Sequence, residues 1–286
     1  MPIARVALDC PKPSAEVLLT SILAGLLREL PAGDVIDAGA REGGHACYLA
    51  KHAPSRTVHA FEPMHAYFKL VKELSIRYRN ILPRQSALGR EGPRWVDPHQ
   101  SSQMLDDRSL KSLLRKSSST ANTSTTAFRI DRVDDLFASI PIALAHFDVE
   151  GIELNLLQGA VATLRRDLPV VTVELHVVSD RAYTSRLFDF IDSTLQYDVY
   201  LIDEVCGSRL DCRNLLATPR ARRLALKGSP TLDLAIATGS IARMASATEL
   251  LRAVPSKSTR NASYLHAALL ERTTYDNYGE HRPVWP

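Results

Sequence analysis

Short apolar runs alternate with stretches of helical periodicity from residue 34 onward, and this alternation limits the fold more than any other feature of the chain. The apolar runs predict strands, and stretches such as "GHACYLAKHA" and "MHAYFKLVKELSIRY" predict helices between them. Strands joined by crossover helices form a mostly parallel sheet with helices on both faces, so the sequence predicts an α/β fold. Ligands of such sheets bind beyond the carboxyl ends of the strands, which is where functional residues are expected.

The pattern predicts seven strands. They are "DVIDAGA", "TVHAFEP", "NILPRQSAL", "IALAHFDV", "VVTVELHV", "DVYLIDEV" and "LDLAIATG". Two further helices are predicted over "IELNLLQGAVATLRRDL" and "SRLFDFIDSTLQ". Pro63 is expected in the first turn of the helix that follows the second strand, because proline is favoured at that position.

The apolar stretch "VLLTSILAGLL" near the N-terminus is too short to span a bilayer, and acidic residues precede it, which argues against a signal peptide. Its large apolar residues recur with helical spacing, and Ser14 is placed to cap the helix. We therefore expect an amphipathic helix packed on the domain. The predicted organisation is an N-terminal helical segment (1–33), a main domain (34–240) with a mobile loop or lid (95–127) rich in Ser and Thr, and a C-terminal extension (241–286).

Charge and cysteine content exclude some classes of protein. The formal net charge is +3 and no dominant basic stripe is present, which argues against a nucleic-acid partner. Four cysteines lack paired metal spacing and are too few for a disulfide scaffold, so a reducing, cytoplasmic location is favoured. They are Cys10, Cys47, Cys206 and Cys212.

A glycine motif follows the first predicted strand. "VIDAGAREGG" contains Asp37, Gly39 and Gly43, and the glycines permit a tight turn and a close backbone approach to a ligand. The spacing differs from the G-x-G-x-x-G dinucleotide fingerprint. In isolation, a structural turn explains the motif equally well.

An acidic residue also ends the second predicted strand. Glu62 lies 25 residues after Asp37, where a nucleotide-binding protein places the acid that accepts the ribose hydroxyls. Alone, Glu62 is better explained as a solvated residue at the end of a strand. The two motifs together favour an adenosine-containing ligand. Because an acid beside the turn would repel a pyrophosphate, they favour S-adenosylmethionine over a dinucleotide.

The sequence resembles the FkbM family of class I S-adenosylmethionine-dependent methyltransferases. The resemblance covers roughly residues 34–176, continues to about residue 203, and departs from the family pattern at Arg41, Glu42 and Gly44 in the first loop. It implies a Rossmann-like fold and methyl transfer, typically to hydroxyl oxygens of sugars, polyketides and other natural products. The matching segments are, in order, "VIDAGAREGGHACYLAK", "VHAFEP", "QSALG", "IDRVDDLF", "FDVEGIELNLLQGA" and "VVTVELH".

The resemblance also implies roles for individual residues. Glu62 would bind the ribose hydroxyls, and Asp37 would lie near the amino-acid end of the cofactor. Asp148 would lie beside the transferred methyl group, with Glu150 just beyond it. The implied cofactor-binding residues are Asp37, Gly39, Ala40, Gly43, Glu62, Pro63, Ser86, Ala87 and Asp148.

Methyl transfer to a hydroxyl requires a base or a metal ion, because an alcohol is a poor nucleophile at neutral pH. His176 is the best base by residue type, and its alternative is a hydrogen-bonded histidine at a strand end. Asp148, Glu150 and Glu174 are the alternative set, as ligands of Mg²⁺ or, for one of them, as the base. Asp148 and Glu150 are expected on one side of an extended strand end. The predicted catalytic residues are Asp148, His176 and Glu150.

Other functions stay open at this point. A catalytically degenerate domain that binds cofactor or a partner is one alternative. An RNA methyltransferase is another, although the mild charge and the lack of an N-P-P-Y-type motif argue against it. The acceptor is expected to be a small-molecule hydroxyl such as that of a sugar, glycoside or polyketide. A homo-oligomer is neither predicted nor excluded.

Overall fold

The computed structural model of the protein describes residues 10–11, 16–96, 128–206 and 210–254. The strands are β1 (Asp34–Ala38), β2 (Val58–Phe61), β3 (Ile81–Arg84), β4 (Ser86–Leu88), β5 (Arg94–Val96), β6 (Phe128–Asp131), β7 (Ile142–Phe147), β8 (Val170–His176), β9 (Tyr197–Val205), β10 (Cys212–Pro219) and β11 (Ile241–Met244). The helices are α1 (Val17–Glu29), α2 (Gly44–His52), α3 (His65–Arg77), α4 (Val133–Leu136), α5 (Glu153–Gln158), α6 (Val161–Asp167), α7 (Arg181–Asp189), α8 (Arg223–Leu226), α9 (Pro230–Ala237) and α10 (Ala247–Ala253).

The central sheet has the strand order β11-β9-β10-β8-β7-β1-β2-β3. Five adjacent strands are parallel to one another, namely β8, β7, β1, β2 and β3. The strands β10 and β11 run antiparallel to the strands beside them. A second sheet has the order β4-β6-β5. The predicted α/β, Rossmann-like class is confirmed, and the central sheet has eight strands where seven were predicted.

Both faces of the sheet are covered, as the apolar runs require. All six residues of β7 are buried. Neighbouring residues of one strand belong to opposite cores: Ile36 and Phe147 lie in one apolar cluster, and Val35 and Leu144 lie in the other. This follows from the alternation of side chains along a strand. The parallel arrangement then brings the ends of β1, β2, β7 and β8 to one edge.

The first helix is buried on every side, which differs from the predicted amphipathic helix. The ten consecutive residues 18–27 are all buried. Helix α9 packs against α1, and it approaches so closely that a Cβ at Gly25 would lie 2.4 Å from Oγ1 of Thr231. A helix that is apolar all round requires such a covering on both sides.

A carboxylate from another part of the chain caps the first turn of α1. Ser14 lies outside the described residues, and Glu16 precedes the first turn. The carboxylate of Glu204 in β9 accepts hydrogen bonds from the amides of Leu18 and Leu19, at 2.8 and 2.9 Å. A distant strand therefore supplies the acceptors that the first turn needs.

The predicted strand "LDLAIATG" was wrong, because these residues belong largely to α9. Ser229 caps this helix by accepting a hydrogen bond from the amide of Leu232, and Pro230 occupies its first turn. Both are strong signals for a helix start. The two strands of the central sheet that the sequence did not predict are β10 and β11, and β11 lies beyond residue 240.

Two predicted helices differ in detail. The segment expected as one helix is divided into α5 and α6 at Gly159, where a Cβ would lie 2.1 Å from the carbonyl oxygen of Gly89. The chain must turn at this point to let the neighbouring loop approach. Pro63 is not in the first turn of α3, because Met64 is the residue that precedes this helix.

All four cysteines form disulfide bonds, Cys10 with Cys47 and Cys206 with Cys212. The prediction of sparse cysteines without bridges is therefore wrong, because the fold brings together cysteines that sequence spacing does not pair. The predicted loop or lid (95–127) lies outside the described residues except for residues 95 and 96, which belong to strand β5 and not to a loop. In the parts of the chain that the structure describes, no helix has both the length and the apolar character needed to cross a bilayer.

Candidate active site

Four acidic side chains converge where the parallel strands end. Asp37 lies in β1, Glu62 follows β2, Asp148 follows β7, and Glu174 lies near the end of β8. Each carboxyl group has a raised pKa, and burial is the largest cause in every case. The sheet thus brings together the acids that the sequence placed at separate strand ends.

Gly39 lets the loop after β1 pass directly over the end of β7. It has φ +89°, and a Cβ at this position would lie 1.7 Å from the carbonyl oxygen of Asp148. The amide of Asp148 donates to the carbonyl oxygen of Ala38 at 2.9 Å. Gly39 is therefore required by the backbone of Asp148, which is a structural reason in addition to any contact with a ligand.

The loop then turns into α2. The amide of Gly43 donates to the carbonyl oxygen of Ala40 at 2.7 Å, and Ala40 donates to that of Phe61 at 3.0 Å. Gly43 has φ +85° and immediately precedes the helix. The first backbone amides of α2 consequently face the region above β1, as expected of a ligand-binding loop.

Glu62 is held in place by two backbone amides. Its Oε2 accepts a hydrogen bond from the amide of Arg41 at 2.9 Å, and its Oε1 accepts one from the amide of Met64 at 2.7 Å. Burial raises the pKa of Glu62 to about 7. Each carboxylate oxygen keeps a second lone pair, so the fixed carboxylate can also accept hydrogen bonds from two neighbouring hydroxyl groups.

Asp37 and Ser86 each present a buried oxygen without a hydrogen-bond partner among the described residues. The atoms are Oδ2 of Asp37 and Oγ of Ser86. Burial, followed by the charge of Asp148, raises the pKa of Asp37 to about 7. Ala87 is buried beside Ser86 in β4. Buried polar atoms of this kind normally have a partner, so both oxygens are available for a hydrogen bond with a bound ligand.

Asp148 and Glu174 form a buried pair of carboxyl groups. Burial and the neighbouring Glu174 hold the pKa of Asp148 well above its usual range, and Asp148 donates a hydrogen bond to Glu174. Burial raises the pKa of Glu174 to about 7. Two carboxyl groups so close together cannot both be charged at little cost.

Glu150 does not lie where the sequence predicted it. β7 ends at Phe147, and Glu150 is exposed with φ +60°, so the alternation of an extended strand does not reach it. Its charge still raises the pKa values of Asp148 and Glu174. The expectation that Asp148 and Glu150 share one side of a strand was therefore wrong.

Glu153 fixes the turn that follows Asp148, a role that the sequence did not predict. Its carboxylate accepts from the amide of Gly151 at 2.8 Å and from the hydroxyl of Tyr183 at 2.8 Å. Burial raises its pKa to about 7. These contacts fix the sharp turn after Asp148, and the spacing "DVEGIE" was the signal that could have revealed them.

His176 ends β8 directly opposite Cys212 of β10. Two positions earlier, Oε1 of Glu174 lies 2.8 Å from Sγ of Cys212. The bridged sulfur carries no hydrogen, so this approach is a close contact and not a hydrogen bond donated by the cysteine. The catalytic role of His176 stays a prediction.

The carboxylates predicted to hold Mg²⁺ are not assembled as one set. Among the described residues, the group whose ligand atoms all lie within 4.8 Å of one another is Glu174, Cys206 and Cys212. Its two sulfurs are joined in a disulfide bond, so they are not thiolate ligands.

A buried polar layer missed by the sequence reading lies beside these acids. Nδ1 of His146 lies 2.9 Å from Oγ1 of Thr172, and its ring is 4.5 Å from that of His45. Burial lowers the pKa values of both histidines. Glu16 and Asn214 complete the layer, and no local pattern marks either of them.

The site offers hydrogen-bond acceptors and acidic groups to a ligand. Glu62 offers two oxygens for a ribose, and Asp37 and Ser86 offer oxygens without partners. The surrounding carboxyl groups repel one another, so a ligand that carries positive charge relieves this repulsion. A diphosphate would add to it.

A family model described as the methyltransferase FkbM domain matches residues 37–210, which is more than half of the chain. No curated protein sequence matches the chain significantly. The structure of methyltransferase FkbM from Methylobacillus flagellatus KT is 16% identical, with a TM-score of 0.45, and covers 65% of this chain. This chain covers 43% of the Methylobacillus protein.

The O-methyltransferase TomG from Streptomyces achromogenes, involved in tomaymycin synthesis and solved in complex with S-adenosylmethionine, is 13% identical, with a TM-score of 0.44. It covers 74% of this chain, and this chain covers 82% of it. At these identities and TM-scores the likenesses support no conclusion about activity. The family match, the strand order and the acidic residues at the strand ends agree, and the chain belongs to the FkbM methyltransferase domain family.

Proposed function

We propose that this protein is an S-adenosylmethionine-dependent O-methyltransferase that acts on a hydroxyl group of a small molecule such as a sugar, glycoside or polyketide. The observation that carries the proposal is the convergence of Asp37, Glu62 and Asp148 around the glycine loop. Membership of the methyltransferase family supports methyl transfer. The cofactor and the acceptor are the proposed parts.

The chain's own residues divide the work of binding. Glu62 accepts the two ribose hydroxyls, and Arg41 and Met64 fix its orientation. Ser86 and Ala87 lie towards the adenine, and Asp37 lies towards the amino-acid end. When bound, S-adenosylmethionine supplies an electrophilic methyl group on a positively charged sulfur.

The pair formed by Asp148 and Glu174 is the proposed base. One of the two carboxyl groups is charged when the pair carries a single proton, and it accepts the proton of the acceptor hydroxyl as the oxygen attacks the methyl carbon. A raised pKa suits this role, because a carboxylate of ordinary pKa is too weak a base. His176 is the alternative base at the same edge of the sheet.

Cofactor binding is tested by calorimetry with S-adenosylmethionine. We expect the wild-type protein to bind and Glu62→Ala to bind roughly 100-fold more weakly, because two charge-assisted hydrogen bonds are lost. Equal affinity in the two proteins would exclude the ribose assignment. If the wild-type protein does not bind, the alternative of a degenerate domain is favoured.

The base is tested by methyl transfer to a panel of hydroxylated small molecules, read by mass spectrometry. Asp148→Asn should reduce turnover far more than it reduces cofactor affinity. His176→Gln should keep turnover if the carboxyl pair is the base. If His176→Gln loses turnover and Asp148→Asn does not, His176 is the base. If adding EDTA abolishes turnover, a metal ion takes part in the reaction.

A further inference from the structure

Two cysteines and one acid form a compact cluster where β8, β9 and β10 lie side by side. Cys206 follows β9, Cys212 begins β10, and Glu174 lies in β8, the other neighbour of β10. The two sulfurs and one carboxylate oxygen all lie within 4.8 Å of one another. Within the part of the chain that the structure describes, this is the group of potential metal ligands that is drawn so closely together.

The backbone holds the two cysteines next to each other without help from the bond between their sulfurs. Val205 of β9 pairs with Arg213 of β10, and each cysteine is the next residue along from one of these two. The amide of Cys206 also donates to the carbonyl oxygen of Cys212 at 3.4 Å. Both cysteines are buried. Reduction of the disulfide bond therefore leaves two buried thiols side by side, because the antiparallel ladder that places them remains.

The register of β8 and β10 directs Glu174 to this pair. Glu174 lies opposite Asn214, and Cys212 lies two residues before Asn214 on the same face of the sheet. Oε1 of Glu174 lies 2.8 Å from Sγ of Cys212. Asp148 donates a hydrogen bond to the same carboxyl group. A neighbouring polar group of this kind fixes the orientation of a metal ligand.

The donor atoms decide which cation the cluster suits. Two thiolate sulfurs and one carboxylate oxygen match the preferences of Zn²⁺, which accepts both in a tetrahedral shell. Three protein ligands leave the fourth position to water or another small ligand. Mg²⁺ prefers oxygen ligands alone, so the sulfurs argue against it.

We propose that Cys206, Cys212 and Glu174 bind Zn²⁺ once a dithiol has reduced the bond between the two cysteines. A thiolate of the dithiol attacks one sulfur of the bridge, and its second thiol then displaces the protein from the mixed disulfide. The dithiol is oxidised to its own disulfide, and the two electrons and two protons that it gives up convert both cysteines to thiols. Zn²⁺ displaces the thiol protons, which pass to the solvent. The site goes beyond the proposed function, since it requires neither the methyl donor nor the acceptor.

Cobalt is the probe, because thiolate bound to Co²⁺ produces an intense charge-transfer absorption in the near ultraviolet. The full chain is reduced with dithiothreitol, freed of it without oxygen, and titrated with Co²⁺. We expect this absorption in the reduced protein and not in the oxidised protein. One equivalent of Zn²⁺ should remove it, because Zn²⁺ binds such a site more tightly than Co²⁺ does.

The second cysteine pair supplies the matched control. Cys10 and Cys47 are also bridged in the structure, and reduction frees them as well. The double variant Cys206→Ser/Cys212→Ser should lose the cobalt absorption, whereas Cys10→Ser/Cys47→Ser should keep it. The opposite result would assign the metal to Cys10 and Cys47 and overturn the proposal.

Glu174→Gln tests the carboxylate while both thiols remain. It should weaken Co²⁺ binding roughly 10-fold or more, since a ligand of the ion is lost. Glu204→Gln is its control, because Glu204 lies two residues before Cys206 but caps α1 and is not part of the cluster. This control should leave the affinity for Co²⁺ unchanged.

Equal affinity in Glu174→Gln and the wild-type protein would overturn the site of three ligands. Failure of the reduced wild-type protein to bind Co²⁺ would overturn it too. Circular dichroism monitors the fold during reduction, and unfolding of the reduced chain would be equally decisive, because the site needs the ladder between β9 and β10. None of these results bears on cofactor binding, which calorimetry tests separately.

Discussion

Oε2 of Glu62 lies 2.9 Å from the backbone nitrogen of Arg41, and this hydrogen bond joins the loop after β1 to the end of β2. Arg41 departs from the family pattern, yet the contact uses only its backbone amide. Its side chain lies over the ring of Tyr67, with Cζ 5.7 Å from the ring centre. The departure therefore leaves the orientation of Glu62 intact.

Two substitutions of Arg41 should distinguish the contribution of its backbone amide to cofactor binding from that of its side chain. Arg41 has φ +49°, so Arg41→Gly keeps the amide and removes backbone strain. We expect the affinity for S-adenosylmethionine to change by less than about threefold, since the exposed ion pair that Arg41 forms with Glu42 contributes little. Arg41→Pro removes the amide and cannot adopt this φ, so it should abolish binding. Calorimetry checks both, and a large loss in Arg41→Gly would contradict the backbone role.

Gly39→Ala should be strongly destabilising. Its Cβ would lie 1.7 Å from the carbonyl oxygen of Asp148, a clash that only a backbone shift can relieve. We expect a loss of roughly 3 kcal/mol or more in the free energy of unfolding, together with weaker cofactor binding.

Gly239→Ala is the control for the backbone conformation alone. Gly239 also has a positive φ, +70°, and a Cβ there would meet nothing within 4 Å. Its cost should be only about 1 kcal/mol. Urea denaturation measures both variants, and equal losses would show that the approach to Asp148 is not the reason for Gly39.

Affinity for S-adenosylmethionine should rise with pH. Burial raises the pKa values of Asp37 and Glu62 to about 7, so below this pH they are protonated and bind a cationic ligand poorly. As the pH rises from 6 to 8, binding should tighten by up to about tenfold per pH unit for each proton released. Isothermal titrations in buffers of different ionisation enthalpy should detect this proton release. A flat affinity profile, or binding that weakens as the pH rises, would contradict the assignment.

The stability of the ligand-free protein should show the opposite trend. A carboxyl group whose folded pKa is raised binds more protons in the folded than in the unfolded state, between about pH 4 and pH 7. The free energy of unfolding should therefore fall as the pH rises through this window. Glu62→Gln removes one titrating group and should make the fall shallower, as measured by melting temperature against pH.

Glu204→Ala should destabilise the N-terminal helix. The variant leaves the amides of Leu18 and Leu19 without their acceptors. A loss of about 1 kcal/mol is expected, as for other helix caps. Hydrogen exchange should show faster opening of α1 than of β7, and unchanged protection of α1 would contradict the capping role.

The sequence by itself determined the main features of the fold and part of the site. Apolar alternation located β1, β2, β7, β8 and β9, because a strand buried on both faces must be apolar along its length. Acids at strand ends located Asp37, Glu62 and Asp148, because parallel strands end at one edge. The same local reasoning failed at Glu150, since it assumed an extended strand where the chain takes a left-handed turn.

Only the tertiary structure decided which residues far apart in the chain contact one another around the site. Asn214 and Glu16 are 198 positions apart, and Glu204 and Leu18 are 186 apart. The pairing of the cysteines and the burial of both sides of α1 likewise depend on elements that are far apart in the chain. Local patterns record the periodicity and the turn chemistry of a segment. They do not record which distant side chain supplies its missing partner, because that depends on how the layers pack.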